Sequence, residues 1–141
     1  MKNNNSDIDI SNLLKAIDKE LSSSQASLVK NKAINTGSEN VAENLRTAFN
    51  KFKGTKYSKG YTADEVTRQK ARKTRKGRTA SIGWNGPHER YRLIHLNEFG
   101  YNRFGKRYNP RMMGTVQNTV EQSRKQYFET VGEELSNYYK R

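Results

Sequence analysis

All of this chain's net charge of +13 sits in its middle. Residues 1–50 carry six basic and six acidic side chains, residues 112–141 carry four of each, and residues 51–111 carry 17 basic against four acidic. Residues 51–78 of that segment are also poor in apolar side chains, so a thin core is expected to draw on helices from the charge-balanced flanks. Charge added only for solubility would be spread evenly. Its confinement predicts a positive surface facing something anionic.

The flanks have the periodicity this requires. Residues 1–6 read as a disordered polar tail, and Ser11 as the N-cap of a first helix. Ile10, Leu13, Leu14, Ile17 and Leu21 form one apolar stripe on that helix. Residues 22–24 weaken it, while Leu28, Val29 and Ala33 continue a similar face. Asn35-Thr36-Gly37 reads as a break, and Thr36 with Glu39 has the capping-box spacing of a second helix start. That helix carries Val41, Ala42, Leu45, Ala48, Phe49 and Phe52 along one side and stops at Gly54. A last helix from Thr115 to Tyr139 carries Val116, Val120, Tyr127, Val131, Leu135 and Tyr138.

The middle is less regular. Residues 61–72 and 79–84 read as strands, with Arg75-Lys76-Gly77 as the hairpin turn. Thr62 and Glu65 also match a capping box, which keeps a helix from Thr62 open. Pro87 suits the first position of a short helix that Gly100 would end, with Tyr91, Ile94, His95 and Glu98 on one face. A strand over residues 90–96 is the other reading, and residues 101–110 read as a loop. The expected fold is α+β: N-terminal helices, a small antiparallel β-sheet near residues 57–84, and a long C-terminal amphipathic helix. Residues 7–141 form one domain in this reading, with a basic arm at about 56–78.

Only 32% of the residues are hydrophobic, against about 45–50% in most globular chains. The core is therefore small, and subunit contacts would complete it. Without cysteine, disulfides and thiolate metal sites are excluded. No run is long and apolar enough to predict a membrane span, and no signal-peptide core opens the chain, which points to the cytoplasm.

Catalytic chemistry has few materials. His88 and His95 are the only histidines, and HERYRLIH lacks the one-turn spacing of the HExxH zinc motif. Gly83, Gly86, Gly100 and Gly105 form no phosphate-binding loop. Asp64, Glu65, Glu89 and Glu98 are the only acids in the basic segment, so a metal-dependent nuclease ranks last. The expectation is a protein that is not an enzyme and uses no cofactor or metal. The candidate contacts to DNA or a neighbouring subunit are Arg68, Lys70, Arg72, Lys73, Arg75, Lys76 and Arg78, with Arg103, Lys106 and Arg107. No base-reading motif accompanies them, so contact would run through phosphates. Tyr91, Phe99, Tyr101, Phe104 and Tyr108 could stack on bases, but at this density read better as interface anchors. Trp84, Tyr91, Ile94, Glu98, Phe99 and Gly100 are the expected anchors of fold or interface.

Several short motifs occur in order: Thr36-Gly37, Ser81-Ile82-Gly83, Leu96-Asn97-Glu98-Phe99-Gly100, Pro110 with Met112 and Met113, then the C-terminal helix. Together they resemble the head–tail joining, or tail-completion, neck-protein family of long-tailed bacteriophages, often called minor capsid proteins. Tyr101 departs from the small polar residue usual there. The resemblance implies a non-enzymatic homo-oligomer, a hexameric ring in the virion neck, assembled in host cytoplasm. Its partners would be a head-closure or connector protein and a tail terminator, with packaged DNA passing through the lumen. Glu98 would fix the Glu-Phe-Gly turn by hydrogen bonds. A small basic nucleic-acid-binding protein of the cytoplasm, without sequence preference, is the alternative.

Overall fold

The computed structural model describes residues 5–54 and 59–139. Residues 1–4 of the expected tail and 56–58 of the expected arm lie outside the described residues. Asn5 and Ser6, read as tail, instead open a helix. The chain is α+β. In order it runs α1 (Asn5–Glu20), α2 (Ser23–Asn50), the single turn α3 (Tyr61–Asp64), β1 (Val66–Arg68), β2 (Arg72–Thr74), β3 (Gly77–Thr79) and β4 (Ile82–Trp84). A 3-10 turn (Arg90–Arg92), α4 (Ile94–Phe99), β5 (Tyr101–Arg103), β6 (Lys106–Tyr108) and α5 (Thr115–Tyr139) follow. The single small sheet expected near residues 57–84 is instead divided. β1 pairs with β4, β2 with β3, and β5 with β6, each pair antiparallel and separate. The last pair lies in the stretch read as loop.

The contacts divide into two compact units. The first holds the described residues up to Asn40, with Gln69–Ser81 and those from Arg124 onward. Its core joins Ile17 of α1, Ala26 and Ala33 of α2, and Val131 and Leu135 of α5, flanked by Leu13, Leu14, Val29 and Tyr127. The weakness at residues 22–24 is a true helix boundary. Ser22 Oγ accepts from Gln25 N–H while Gln25 Oε1 accepts from Ser22 N–H, a reciprocal cap that starts α2.

The break expected at Asn35-Thr36-Gly37 does not occur; α2 runs straight through it. Tertiary contacts override the local preferences of Asn35 and Gly37. Asn35 Oδ1 accepts the Ala71 N–H at 2.7 Å, so its side chain is engaged across the fold instead of turning its own backbone. Thr36 Oγ1 donates to the Lys32 carbonyl one turn back. Gly37 lies against α5, where a Cβ would stand 2.9 Å from Val131 Cγ2 and 3.0 Å from Tyr127 Cδ1. The residue that breaks isolated helices here lets two helices approach.

The second unit holds Val41–Arg68 and Ile82–Ser123. Ala42, Leu45 and Phe49 of α2, Ala63 and Val66 form its core, with Phe52, Ile82, Trp84, Met112 and Val116 packed against them. Trp84 meets Phe49 edge-on, and its Nε1–H donates to the Thr62 carbonyl. The helix reading at Thr62 holds for one turn, and the strand reading begins at Val66. The helix expected from Pro87 does not form there. Glu65, 3% exposed, accepts the backbone N–H groups of His88 and Arg90 at 2.7 and 3.0 Å. That capture holds residues 85–90 as a turn, with Glu89 at φ 49° and the His88 ring stacked on Tyr61. Along α5 the stripe also shifts. Thr119 and Ser123 are buried, while Val120 and Tyr138 are exposed. Ser123 Oγ donates to the Thr119 carbonyl and accepts from Asn44 Nδ2, so a polar pair outside the expected apolar stripe is buried.

Gly37 and Gly132 test the packing argument, since both are helical but a Cβ at Gly132 would lie 3.5 Å from its nearest neighbour. Gly37→Ala should lower the unfolding free energy by about 1 kcal/mol, overpacking outweighing the gain in helix propensity. Gly132→Ala should raise it by about 0.5–1 kcal/mol. Urea unfolding of both variants measures this, and equal shifts would show that Gly37 is not a contact glycine.

Candidate functional site

The Glu98-Phe99-Gly100 segment is a junction. Glu98 ends α4 with its side chain 7% exposed. Its Oε1 accepts from Val116 N–H and its Oε2 from Gln117 N–H, both at 2.8 Å. Those donors belong to the first turn of α5, which has no carbonyls of its own to give them. The carboxylate thus satisfies two of them and sits at the positive end of the helix dipole. The Glu98 carbonyl accepts the Gly114 N–H as well. Glu98 was expected to fix its own turn; its side chain instead caps the following long helix. Gly100, the expected C-cap, has φ 76°. A Cβ there would stand 2.7 Å from Arg107 Nη2 and 2.8 Å from the Tyr108 carbonyl oxygen. Only glycine suits that position.

From Gly100 the chain enters the β5–β6 hairpin, registered Tyr101↔Tyr108, Asn102↔Arg107 and Arg103↔Lys106. Tyr101 and Tyr108 stack at 5.2 Å between centroids. Arg107 Nη2 donates to the Phe99 carbonyl at 2.6 Å and Nε to Asn109 Oδ1. Of the three expected cations here, Arg107 is a brace for the hairpin base, while Arg103 and Lys106 are exposed beside the tip.

The other expected cations lie on or beside the β2–β3 hairpin, registered Arg72↔Thr79, Lys73↔Arg78 and Thr74↔Gly77. Its turn is at Arg75-Lys76, as read, with Gly77 at φ 116° and Thr74 Oγ1 donating to the Gly77 carbonyl. Arg78 fastens the hairpin to α2 through Asn31 Oδ1 at 2.9 Å and Ser27 Oγ at 2.7 Å. Lys70, Arg72, Lys73, Arg75 and Lys76 are exposed. Arg68 belongs to β1 in the second unit, where it is half-buried opposite Ile82. The basic run is therefore not one surface. Its centre is a mounted cationic hairpin suited to phosphate contact by charge alone.

Among the expected anchors, Trp84 and Glu98 are structural, and Ile94 is half-buried. Tyr91 and Phe99 are 53% and 64% exposed. Tyr91 donates no structural bond to the core; its hydroxyl accepts from Arg92 Nε and holds that guanidinium above its ordinary pKa. Tyr91, Ile94, His95 and Glu98 do share one face, and with Gly83, Trp84, Phe99, Val116 and Gln117 they line a groove of about 480 Å³. Among the described residues no group of three or more His, Cys, Asp or Glu side chains could hold a metal ion. The sequence marks Glu65 by its spacing from Thr62 and as one of four acids in the basic segment, and neither signals its role as the clamp on residues 88–90.

Glu98→Ala should cost about 2–4 kcal/mol of stability, because two helix donors lose a charged acceptor in a buried place. Glu98→Gln should cost less, and Glu129→Ala, which removes an exposed pair with Lys125, should change stability by under about 0.5 kcal/mol. Thermal or urea unfolding separates the three; an Ala variant as stable as the parent would dismiss the cap. No protein-family model, no curated protein and no solved structure gives a significant match to this chain.

Proposed function

We propose that this chain is a structural subunit of a bacteriophage head–tail connector, a neck or tail-completion protein that assembles with copies of itself around passing DNA. The observation that carries this reading is the surface of the second unit. Tyr91, Leu93, Phe99, Phe104, Tyr108 and Met113 are all exposed there, on elements tied down by Glu98 and Arg107. Large apolar side chains left exposed on rigid elements mark a protein interface more often than a free surface. The Glu98-Phe99-Gly100 motif that carries the family resemblance is also the joint that sets this surface. The β2–β3 hairpin supplies the second requirement, cations held outward without base-reading groups. DNA moving through a channel must be met in that sequence-blind way.

The same hairpin favours the alternative, a small nucleic-acid-binding protein acting without sequence preference. The two differ in what binds what. A neck subunit works in the particle, between a head-closure or connector protein and a tail terminator. A nucleic-acid-binding protein acts alone on DNA or RNA.

Replacing Lys70, Arg72, Lys73, Arg75 and Lys76 with Ser, while keeping Arg78 for its bonds to α2, should leave the fold intact. It should reduce the yield of DNA-filled, tailed particles, counted by electron microscopy after complementation of a phage lacking the gene. Full yield would remove the lumen role of the hairpin, and normal tailed particles without the chain at all would remove the neck reading. Filter binding addresses the alternative. Tight binding by the monomer, with a salt slope that the five substitutions reduce by roughly one unit per phosphate lost, would favour it.

A further inference from the structure

Phe104 stands out in the second unit as 92% exposed and, at φ 52°, as one of two described non-glycine residues at positive φ. It and Gly105, at φ 73°, form the two-residue loop between β5 and β6. Loops with positive φ at both positions favour Asn-Gly or Asp-Gly, because a bulky side chain is strained there. The ring gains little within its own chain; the Arg103 guanidinium lies 5.2 Å from its centroid. A strained aromatic held out into solvent on a rigid two-strand mount has the form of a contact residue.

The same unit contains a place of matching chemistry. The groove of about 480 Å³ has walls from Trp84, Tyr91, Ile94, Phe99 and Val116. An apolar cavity of about 150 Å³ suffices for a benzene ring, so a benzyl side chain fits with room for its flanks. Phe104, being so exposed, does not occupy the groove of its own chain. Charge agrees. The knob is flanked by Arg103 and Lys106, paired across the hairpin. At the groove, the exposed Glu121 carboxylate accepts from the lining Gln117 at 3.2 Å, while Glu89 is already paired with Arg92 at 3.5 Å.

We infer that Phe104 of one copy docks into the Trp84–Tyr91–Ile94–Phe99–Val116 groove of a second copy, with Arg103 and Lys106 facing Glu121. Knob and groove are different patches, so the contact is head-to-tail and propagates from copy to copy. This rests on the self-assembly reading above and names the surface that would carry it.

Two substitutions disable the two sides without threatening the fold. Phe104→Asn gives the favoured Asn-Gly loop and removes the knob. Gly83→Val places a β-branched side chain on β4, where a Cβ meets nothing within 4 Å, and fills the groove. Each variant should melt at or above the parent temperature, yet self-associate roughly tenfold or more weakly in sedimentation equilibrium, the scale of one buried aromatic anchor. In a third arm, p-benzoylphenylalanine replaces Phe104 and is irradiated with an isotopically heavy, unsubstituted copy. The adduct should join light to heavy chains at Tyr91, Ile94, Phe99 or Val116. If the parent associates but both variants associate equally well, or adducts map elsewhere, the docking is wrong and self-assembly stands. A parent that stays monomeric and gives no inter-copy adduct also overturns the docking; the self-assembly reading is then judged separately by the tailed-particle count.

Discussion

The second unit depends on one buried carboxylate placed against the start of a long helix. A helix of the length of α5 begins with donors that nothing inside it can satisfy. Glu98 brings two oxygens to the Val116 and Gln117 N–H groups, and its own carbonyl takes Gly114 N–H. The charge is tolerable at 7% exposure because the donors and the helix dipole replace water. Everything attached to Glu98 is thereby positioned. Phe99 and Gly100 follow in sequence, Arg107 closes on the Phe99 carbonyl, and the β5–β6 hairpin leaves in a direction those bonds allow. Glu65 does the corresponding work at residues 85–90, where a Cβ on Gly86 would fall 2.5 Å from its carboxyl carbon. Two of the four acids in a basic segment are used up as backbone acceptors. That leaves the segment's outer face more cationic than its composition suggests.

The parts of this fold legible in the sequence are those where one physical rule acts alone. The stripe of α1, the bounds of α5 and the turn at Arg75-Lys76 follow from periodicity and turn chemistry with no competing contact. Where the reading failed, a contact distant in sequence had reversed a local preference. Gly37 breaks a helix by propensity but lies against Val131 and Tyr127, so the same missing side chain keeps α2 whole. Pro87 invites a helix whose donors at His88 and Arg90 were already claimed by Glu65. Thr119 and Ser123 carry no apolar signal of their own, and Ser123 is buried because Asn44 supplies its partner. Residues 101–110 lack strand periodicity because each strand is three residues long and mostly exposed. The Phe104-Gly105 loop also places Phe where two-residue hairpin turns favour Asn or Asp, so the usual turn signal is missing.

The candidate surfaces were legible in kind but not in grouping. The cations near residue 70 and those near residue 105 read as one positive segment. The structure assigns them different duties: Arg78 and Arg107 are structural braces, Arg68 lies in a sheet, and the rest are exposed. A guanidinium can span two acceptors at once, and both braces do so. The exposed cations are of both kinds, Arg72, Arg75 and Arg103 beside Lys70, Lys73, Lys76 and Lys106, so it is the presence of two acceptors nearby that separates the braces from the rest.

A chain so poor in apolar residues still leaves several of its largest ones outside. Ile17 and Leu135 are the largest side chains fully enclosed among the described residues, while Phe99 and Phe104 face solvent. A stable monomer with a thin core would gain by turning those rings inward, and nothing in the short β5–β6 strands prevents a polar loop in their place. The strain at Phe104 sharpens the point, since Asn at that position would suit the turn better. Phe104 thus carries both backbone strain and exposed apolar area, against two local rules at once. Such departures gather at sites of function. On the docking proposed for Phe104, the thin core and the exposed rings become one arrangement, with part of the apolar material reserved for contacts between copies.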